Sequence, residues 1–184
     1  MSATLVLRVA ADPIDRVPGD LAIVGCLEDE RPLRGAAARA DWRMCGAVSG
    51  LLLEGSFHGR EGEAALLPSP GGVKAPRLLV LGLGPRSRGS AERLRAYAGD
   101  ALVRVLGLGT REPVLALLPG ECGAVAEQIE ELVAGLAAHF DEAPPETELQ
   151  LCFAVPQDAC SEARRSLAAL AAGRWPRGFD FPDL

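Results

Sequence analysis

Two short apolar runs, Leu5 to Ala10 and Leu21 to Cys26, open the chain, separated by Asp12-Pro13 and Pro18-Gly19. Runs of this length between turn-forming residues predict two strands. From residue 36 to 53 the period changes. Ala37, Ala40, Met44, Val48 and Leu51 recur at three- and four-residue spacings, with Asp41 and Arg43 elsewhere on the wheel. That is the spacing of one amphipathic helix, ending near Gly55. Ala64 to Leu67 predicts a short strand stopped by Pro68-Ser69-Pro70-Gly71-Gly72. Arg77 to Leu81 is a continuous aliphatic run ending in Gly82-Leu83-Gly84-Pro85, the pattern of a central strand buried on both faces.

Ser90 is placed to cap the next helix, whose buried stripe is Leu94, Ala98, Ala101, Leu102 and Val105, with Gly107 as its stop. Val114 to Leu118 reads as another strand. Between 123 and 140, Val125, Ile129, Leu132, Val133, Leu136 and Phe140 form one helical face, and Glu127, Glu130 and Glu131 lie opposite. Leu149, Leu151, Phe153 and Val155 alternate along a strand from Glu148, and a last helix runs from about Asp158 to Ala172. Strands alternating with helices predict a layered α/β domain with a mainly parallel or mixed sheet. No internal repeat or low-complexity linker divides the chain, so residues 1–172 are expected to form one domain. Residues 173–184, with Trp175, Pro176, Phe179, Phe181 and Pro182, lack periodicity and read as a docking arm or a linker stub.

The composition narrows the class. At 184 residues and 48% apolar content the chain can bury a sizeable core, and two large domains are excluded. No apolar run approaches about 18 residues and no leader opens the sequence, so a soluble, cytoplasmic protein without a membrane partner is expected. Five cysteines (26, 45, 122, 152 and 160), an odd count without CxxC, read as reduced thiols serving as small core residues. The chain has one lysine, Lys74, against eighteen arginines, and no asparagine. A site that needs two lysines or an asparagine is therefore excluded. Charge is uneven: residues 1–111 carry 15 basic and 12 acidic groups, residues 112–163 carry none and 11, and the last 21 carry four and two. The segment from Glu112 to Glu162 is a one-sign surface, expected to face solvent or a partner rather than the Gly82 to Arg95 loop of its own chain.

Gly82-Leu83-Gly84, between a buried strand and a helix, invites an anion at the helix N-terminus, with positive charge from Arg86, Arg88, Arg93 and Arg95. A dinucleotide fingerprint fails because its third glycine position is Ser87, and Gly-Lys-Ser/Thr occurs nowhere. A plain strand-to-helix turn and an anion or partner contact at Gly82, Gly84, Arg86, Arg88 and Arg93 both stay open. His58, in Glu54-Gly55-Ser56-Phe57-His58-Gly59-Arg60, lies near a serine and a carboxylate in sequence, but triads are assembled from separate elements. A surface turn explains it. His139 is placed to cap a helix C-terminus. Cys152 and Cys160 have neither zinc spacing nor a histidine pair, so no metal and no other cofactor is expected. A net charge of −6 opposes nucleic-acid binding, leaving only the Arg86 to Arg95 cluster in its favour.

One set of motifs carries a family resemblance. Ala40-Asp41 in a helix is followed by Gly55-Ser56-Phe57-His58-Gly59-Arg60-Glu61-Gly62-Glu63, by Arg77-Leu78-Leu79-Val80-Leu81-Gly82-Leu83-Gly84, and by Glu92-Arg93-Leu94-Arg95. This resembles the amino-terminal domain of the leucyl aminopeptidases of peptidase family M17, with Arg60 in place of the usual lysine. The likeness is specific over residues 20–107 and diffuse to about residue 155 of the sequence. It implies a macro-domain-like three-layer sandwich, a mixed, mostly parallel sheet with helices on both faces. It also implies that the family's two-metal chemistry belongs to a separate carboxy-terminal domain, whose lysine pair and asparagine-bearing motif this chain cannot supply. The initial methionine favours a free-standing domain over one cut from a longer chain. True macro domains bind ADP-ribose with an asparagine-bearing loop that has no counterpart here. Two functions are thus expected as alternatives. One is a non-catalytic domain acting in protein assembly or regulation, its partner being itself or an aminopeptidase subunit across a surface that includes Glu127, Glu130 and Glu131. The other is a small-ligand module holding a nucleotide or other anion at the Gly82 to Arg95 loop.

Overall fold

The computed structural model describes residues 3–173 and 178–182. Seven strands form one sheet: β1 (Thr4–Ala10), β2 (Leu21–Cys26), β3 (Ala64–Pro68), β4 (Arg77–Gly82), β5 (Pro113–Ala116), β6 (Glu148–Ala154) and β7 (Phe179–Asp180). Their order is β3-β4-β2-β5-β6-β1-β7, with every neighbouring pair parallel except β3 and β4. The helices are α1 (Gly35–Arg43), α2 (Ala47–Glu54), α3 (Ser90–Gly107), α4 (Val125–Phe140) and α5 (Cys160–Ala171).

Strand alternation sorts the apolar residues into two cores. Leu21 and Ile23 of β2, Leu79 and Leu81 of β4, and Leu149, Leu151 and Phe153 of β6 pack with α3, α4 and α5. Ala22 and Val24, Leu78 and Val80, and Ala154 point the other way and pack with α1 and α2. The result is a three-layer sandwich, a mixed, mostly parallel sheet with helices on both faces.

The single helix expected over 36–53 is two. Cys45 (φ 55°) and Gly46 (φ 83°) take left-handed conformations and break the backbone, although apolar spacing continues through them. Cys45 is exposed there, so it is not a core thiol; Cys26, Cys122 and Cys160 are buried, and the five are thiols rather than disulfides. Gly89, not Ser90, stands at the cap of α3, which no side chain caps. The strand expected over Val114 to Leu118 lies at Pro113–Ala116, and a short 3₁₀ turn over Gln157–Ala159 precedes α5. In the tail, Phe179 pairs with Leu5 and packs edge-on against Phe140 at 5.3 Å. Trp175 and Pro176 lie outside the described residues. Among the described residues no helix is long and apolar enough to cross a membrane.

Candidate functional site

The Gly82 to Arg95 segment is bonded to its own chain at many of its polar groups. Gly82 sits under the turn before β3: a Cβ there would lie 1.9 Å from the Arg60 carbonyl oxygen, so only glycine fits. Its N–H donates to Glu63, the Leu83 N–H to Cys26 and the Gly84 N–H to Gly59. Gly84 adopts φ +71°, which glycine takes without strain. The Arg86 N–H donates to both Asp29 carboxylate oxygens, and its guanidinium donates to the buried Glu30 at 3.0 Å.

The arginines are equally committed. Arg88 bridges Glu61 and Glu92, whose carboxylates raise its pKa further. Arg93 is buried, and its Nη2 donates to the carbonyls of Pro85, Arg86 and Arg88, stapling the loop to α3. Its Nε has no partner among the described residues and no access to solvent. Chemically this segment is a strand-to-helix turn locked by buried and bridged guanidinium groups, with the first-turn N–H groups of α3, which no side chain caps, as its remaining donors.

The acidic helix face departs from expectation at one position. Glu131 pairs with Arg95 through both carboxylate oxygens, one of them 3.2 Å from Nη2, and the pairing raises the Arg95 pKa. Helices α3 and α4 pack side by side, and that contact brings an acid of the 112–163 segment to the end of the Gly82 to Arg95 stretch. Glu127 and Glu130 are exposed. His58 lies in a turn where Glu63 accepts its N–H at 2.8 Å and approaches its Nδ1 at 3.2 Å. Burial opposes the charge on Glu63, but the N–H groups of His58 and Arg60 outweigh it and lower its pKa. His139 Nδ1 lies 3.0 Å from the Gly135 carbonyl, one turn back on α4, and its ring fills the space over Gly99. Among the described residues no group of three or more His, Cys, Asp or Glu side chains is placed to hold a metal ion.

A cavity of about 190 Å³ opens beside the Gly82 to Arg95 segment, lined by Gly82, Leu83, Arg88 and Arg93 together with Glu61 and Asp100, and a larger one lies elsewhere. A crevice of about 520 Å³ lies beyond the carboxyl ends of β5 and β6, lined by Pro13 and Ile14, by Gly35, Ala36 and Arg39 of α1, and by the segments Ala116 to Gly120 and Ala154 to Pro156. The connection leaving β2 runs to β3 and β4 on one side, and that leaving β5 runs to β6 on the other. A crevice at such a reversal is where open α/β sheets bind ligands. Arg39 donates to both oxygens of the buried Asp15, a bond that raises its pKa, and Arg43 Nε approaches the same carboxylate at 3.5 Å. Neither Asp15 nor Arg39 stands out in the sequence. The crevice is assembled from the ends of four separate segments, and no local spacing announces it.

Comparison with known proteins places this architecture. Residues 23–140 match the model described as the cytosol aminopeptidase family, N-terminal domain. A probable cytosol aminopeptidase of Pseudomonas syringae pv. tomato is 35% identical over 95 residues, covering 52% of this chain and 19% of that protein. Among solved structures, a mutant of tomato leucine aminopeptidase superposes with a TM-score of 0.67 at 18% identity, over 90% of this chain and 35% of that one. A mutant of the Oceanobacillus iheyensis macrodomain gives 0.70 at 10% identity, over 90% and 88%. The chain thus spans well under two thirds of the aminopeptidases it matches and nearly the whole of a macrodomain. With the family model covering more than half of the chain, from β2 through β5 with the helices α1 to α4, the chain belongs to the cytosol aminopeptidase family, through its N-terminal domain.

Proposed function

We propose that this domain works without chemistry of its own, as an assembly or regulatory unit in the cytoplasm that engages an aminopeptidase subunit or a second copy of itself. One observation carries the proposal: the family match falls on the N-terminal domain, whereas the family's metal chemistry is expected in a separate carboxy-terminal one. The exposed Glu127 and Glu130 on α4 offer a partner a charged surface. Residues 1–172 would act as the domain and 173–184 as an arm or linker.

The experiment is an assay of the pure protein on a leucyl amide with manganese, zinc or cobalt, alongside the mass of the native species. No turnover is expected, together with either a mass above the monomer or a co-purifying aminopeptidase. Metal-dependent turnover that co-elutes with the chain, or a lone inert monomer in native extracts, overturns the proposal.

The 520 Å³ crevice favours a second reading, a small-ligand module, with the site there rather than at Gly82 to Arg95. A thermal-shift panel of nucleotides and small organic anions tests it.

A further inference from the structure

We infer, on the small-ligand reading above, that the crevice beyond β5 and β6 takes a small apolar carboxylate: a monoanion whose charged end meets Arg39 and the first turn of α1, and whose hydrocarbon body lies along the strand ends.

The walls decide the body. Ile14, Leu117, Leu118, Val155 and the prolines 13, 119 and 156 are hydrocarbon, and Arg39 is the one polar side chain of the lining among the described residues. A base or a sugar buried here would leave its own donors and acceptors without side-chain partners. An ammonium group would be worse placed, because among the described side chains no acid lines the crevice to meet it. A zwitterionic amino acid is therefore disfavoured even when its side chain would fit.

Charge decides the head group. The Asp15 side chain is 2% exposed and stands between two guanidiniums, those of Arg39 and Arg43, which are 41% and 43% exposed. Within this trio one buried carboxylate faces two cations, and of the two Arg39 lines the crevice. Arg39 spends Nε and Nη2 on Asp15, and its Nη1 has no partner among the described residues. On the same wall, Gly35 and Ala36 open α1, whose start no side chain caps. First-turn N–H groups have no acceptor within their helix, so these two add donors and the positive end of the helix dipole. Ala36 and Arg39 are three residues apart, on one side of the helix. Together the guanidinium and the two N–H groups present donors to a single small anion, with apolar surface adjoining.

Calorimetric titration of the whole chain tests the assignment with octanoate, 1-octanol, 4-methylpentanoate, leucine and ADP-ribose. Octanoate should bind, and 1-octanol, with the same chain but no charge, should bind at least about tenfold more weakly. Leucine, which adds an ammonium to the 4-methylpentanoate skeleton, should be weaker than that acid by a similar factor. Arg39→Gln should cost octanoate about tenfold or more in affinity, while Asp15 keeps Arg43 and an amide donor. Ala36→Phe should fill the crevice and abolish binding with the Arg39–Asp15 pair intact, so the test survives if Arg39→Gln fails to fold. Equal binding of octanol and octanoate, or indifference to both variants, overturns the assignment. Tighter binding of ADP-ribose than of octanoate also overturns it but keeps the small-ligand reading, whereas silence of every compound at about 5 mM removes both.

Discussion

Asp41, near the end of α1, grips Ser49, in the first turn of α2, twice: Oδ1 accepts the Ser49 N–H at 2.9 Å and Oδ2 accepts its hydroxyl at 2.5 Å. The Val48 N–H also donates to Oδ1, at 2.8 Å. Gly46, the cap residue of α2, has no side chain to offer, so Asp41 supplies the cap from the preceding helix. Asp41→Ala should therefore lower stability by about 1–2 kcal/mol, the usual cost of losing an N-cap. Asp41→Asn should recover part of it. Urea unfolding with an unchanged m-value checks this; equal stability of the alanine variant would show that the break between the helices holds itself.

The same break shows where the sequence was legible and where it was not. The alternation of Leu149, Leu151 and Phe153 and the stripe from Val125 to Phe140 are periodic because one face of each element is buried, so burial is written into the spacing. Cys45 and Gly46 interrupt a spacing that remains helical on both sides, and only the backbone angles reveal the turn. Phe179 pairs with Leu5 from a two-residue strand, too short for any period. The arginines of Gly82 to Arg95 were visible as charges, but their partners Asp29, Glu30 and Glu61 come from other loops. The crevice gathers the ends of four segments far apart in the chain, and no local spacing encodes that meeting.

Tyr97, the only tyrosine of the chain, is fully buried with its hydroxyl 3.2 Å from the carbonyls of both Ile23 and Ala116. Burial disfavours the phenolate and pushes its pKa far above the ordinary value. The folded pKa thus exceeds the unfolded one, near 10, so this contribution to stability is intact below about pH 10 and is lost as the pH rises further. Absorbance at the tyrosinate band should stay flat through about pH 11 and rise only with the loss of circular dichroism. A titration near pH 10 in protein that is still folded would contradict the burial. Tyr97→Phe should cost about 1 kcal/mol.

The thiols should separate by exposure. Cys26 is buried, and desolvation raises its pKa to about 11 despite the opposing pull of Arg31. Cys45 is exposed. Alkylation of native protein near pH 8 should label Cys45 first and leave Cys26 protected until denaturant is added, read by peptide mass. Because the folded thiol has the higher pKa, its contribution to stability is complete below about pH 8.5 and declines above it. Early labelling of Cys26 would mean that β2 opens far more readily than its packing implies.

The acidic face of α4 is predicted to act on the encounter with a partner rather than on the fold. Glu127 and Glu130 are exposed and project charge into solvent, whereas Glu131 is already compensated by Arg95. Glu127→Gln with Glu130→Gln should slow association with a basic partner and flatten its dependence on salt, because exposed charges steer approach within a screening length of about 8 Å at physiological salt. Adding Glu131→Gln removes one negative charge and also exposes the unpaired positive charge of Arg95, so the triple variant should be slower still. Dissociation should change little in either case. Stopped-flow rates at two ionic strengths, with a co-purifying aminopeptidase subunit or a second copy as partner, make the comparison. A rate indifferent to salt and to all three substitutions would reduce this face to a solvated helix surface and move the partner contact elsewhere on the domain.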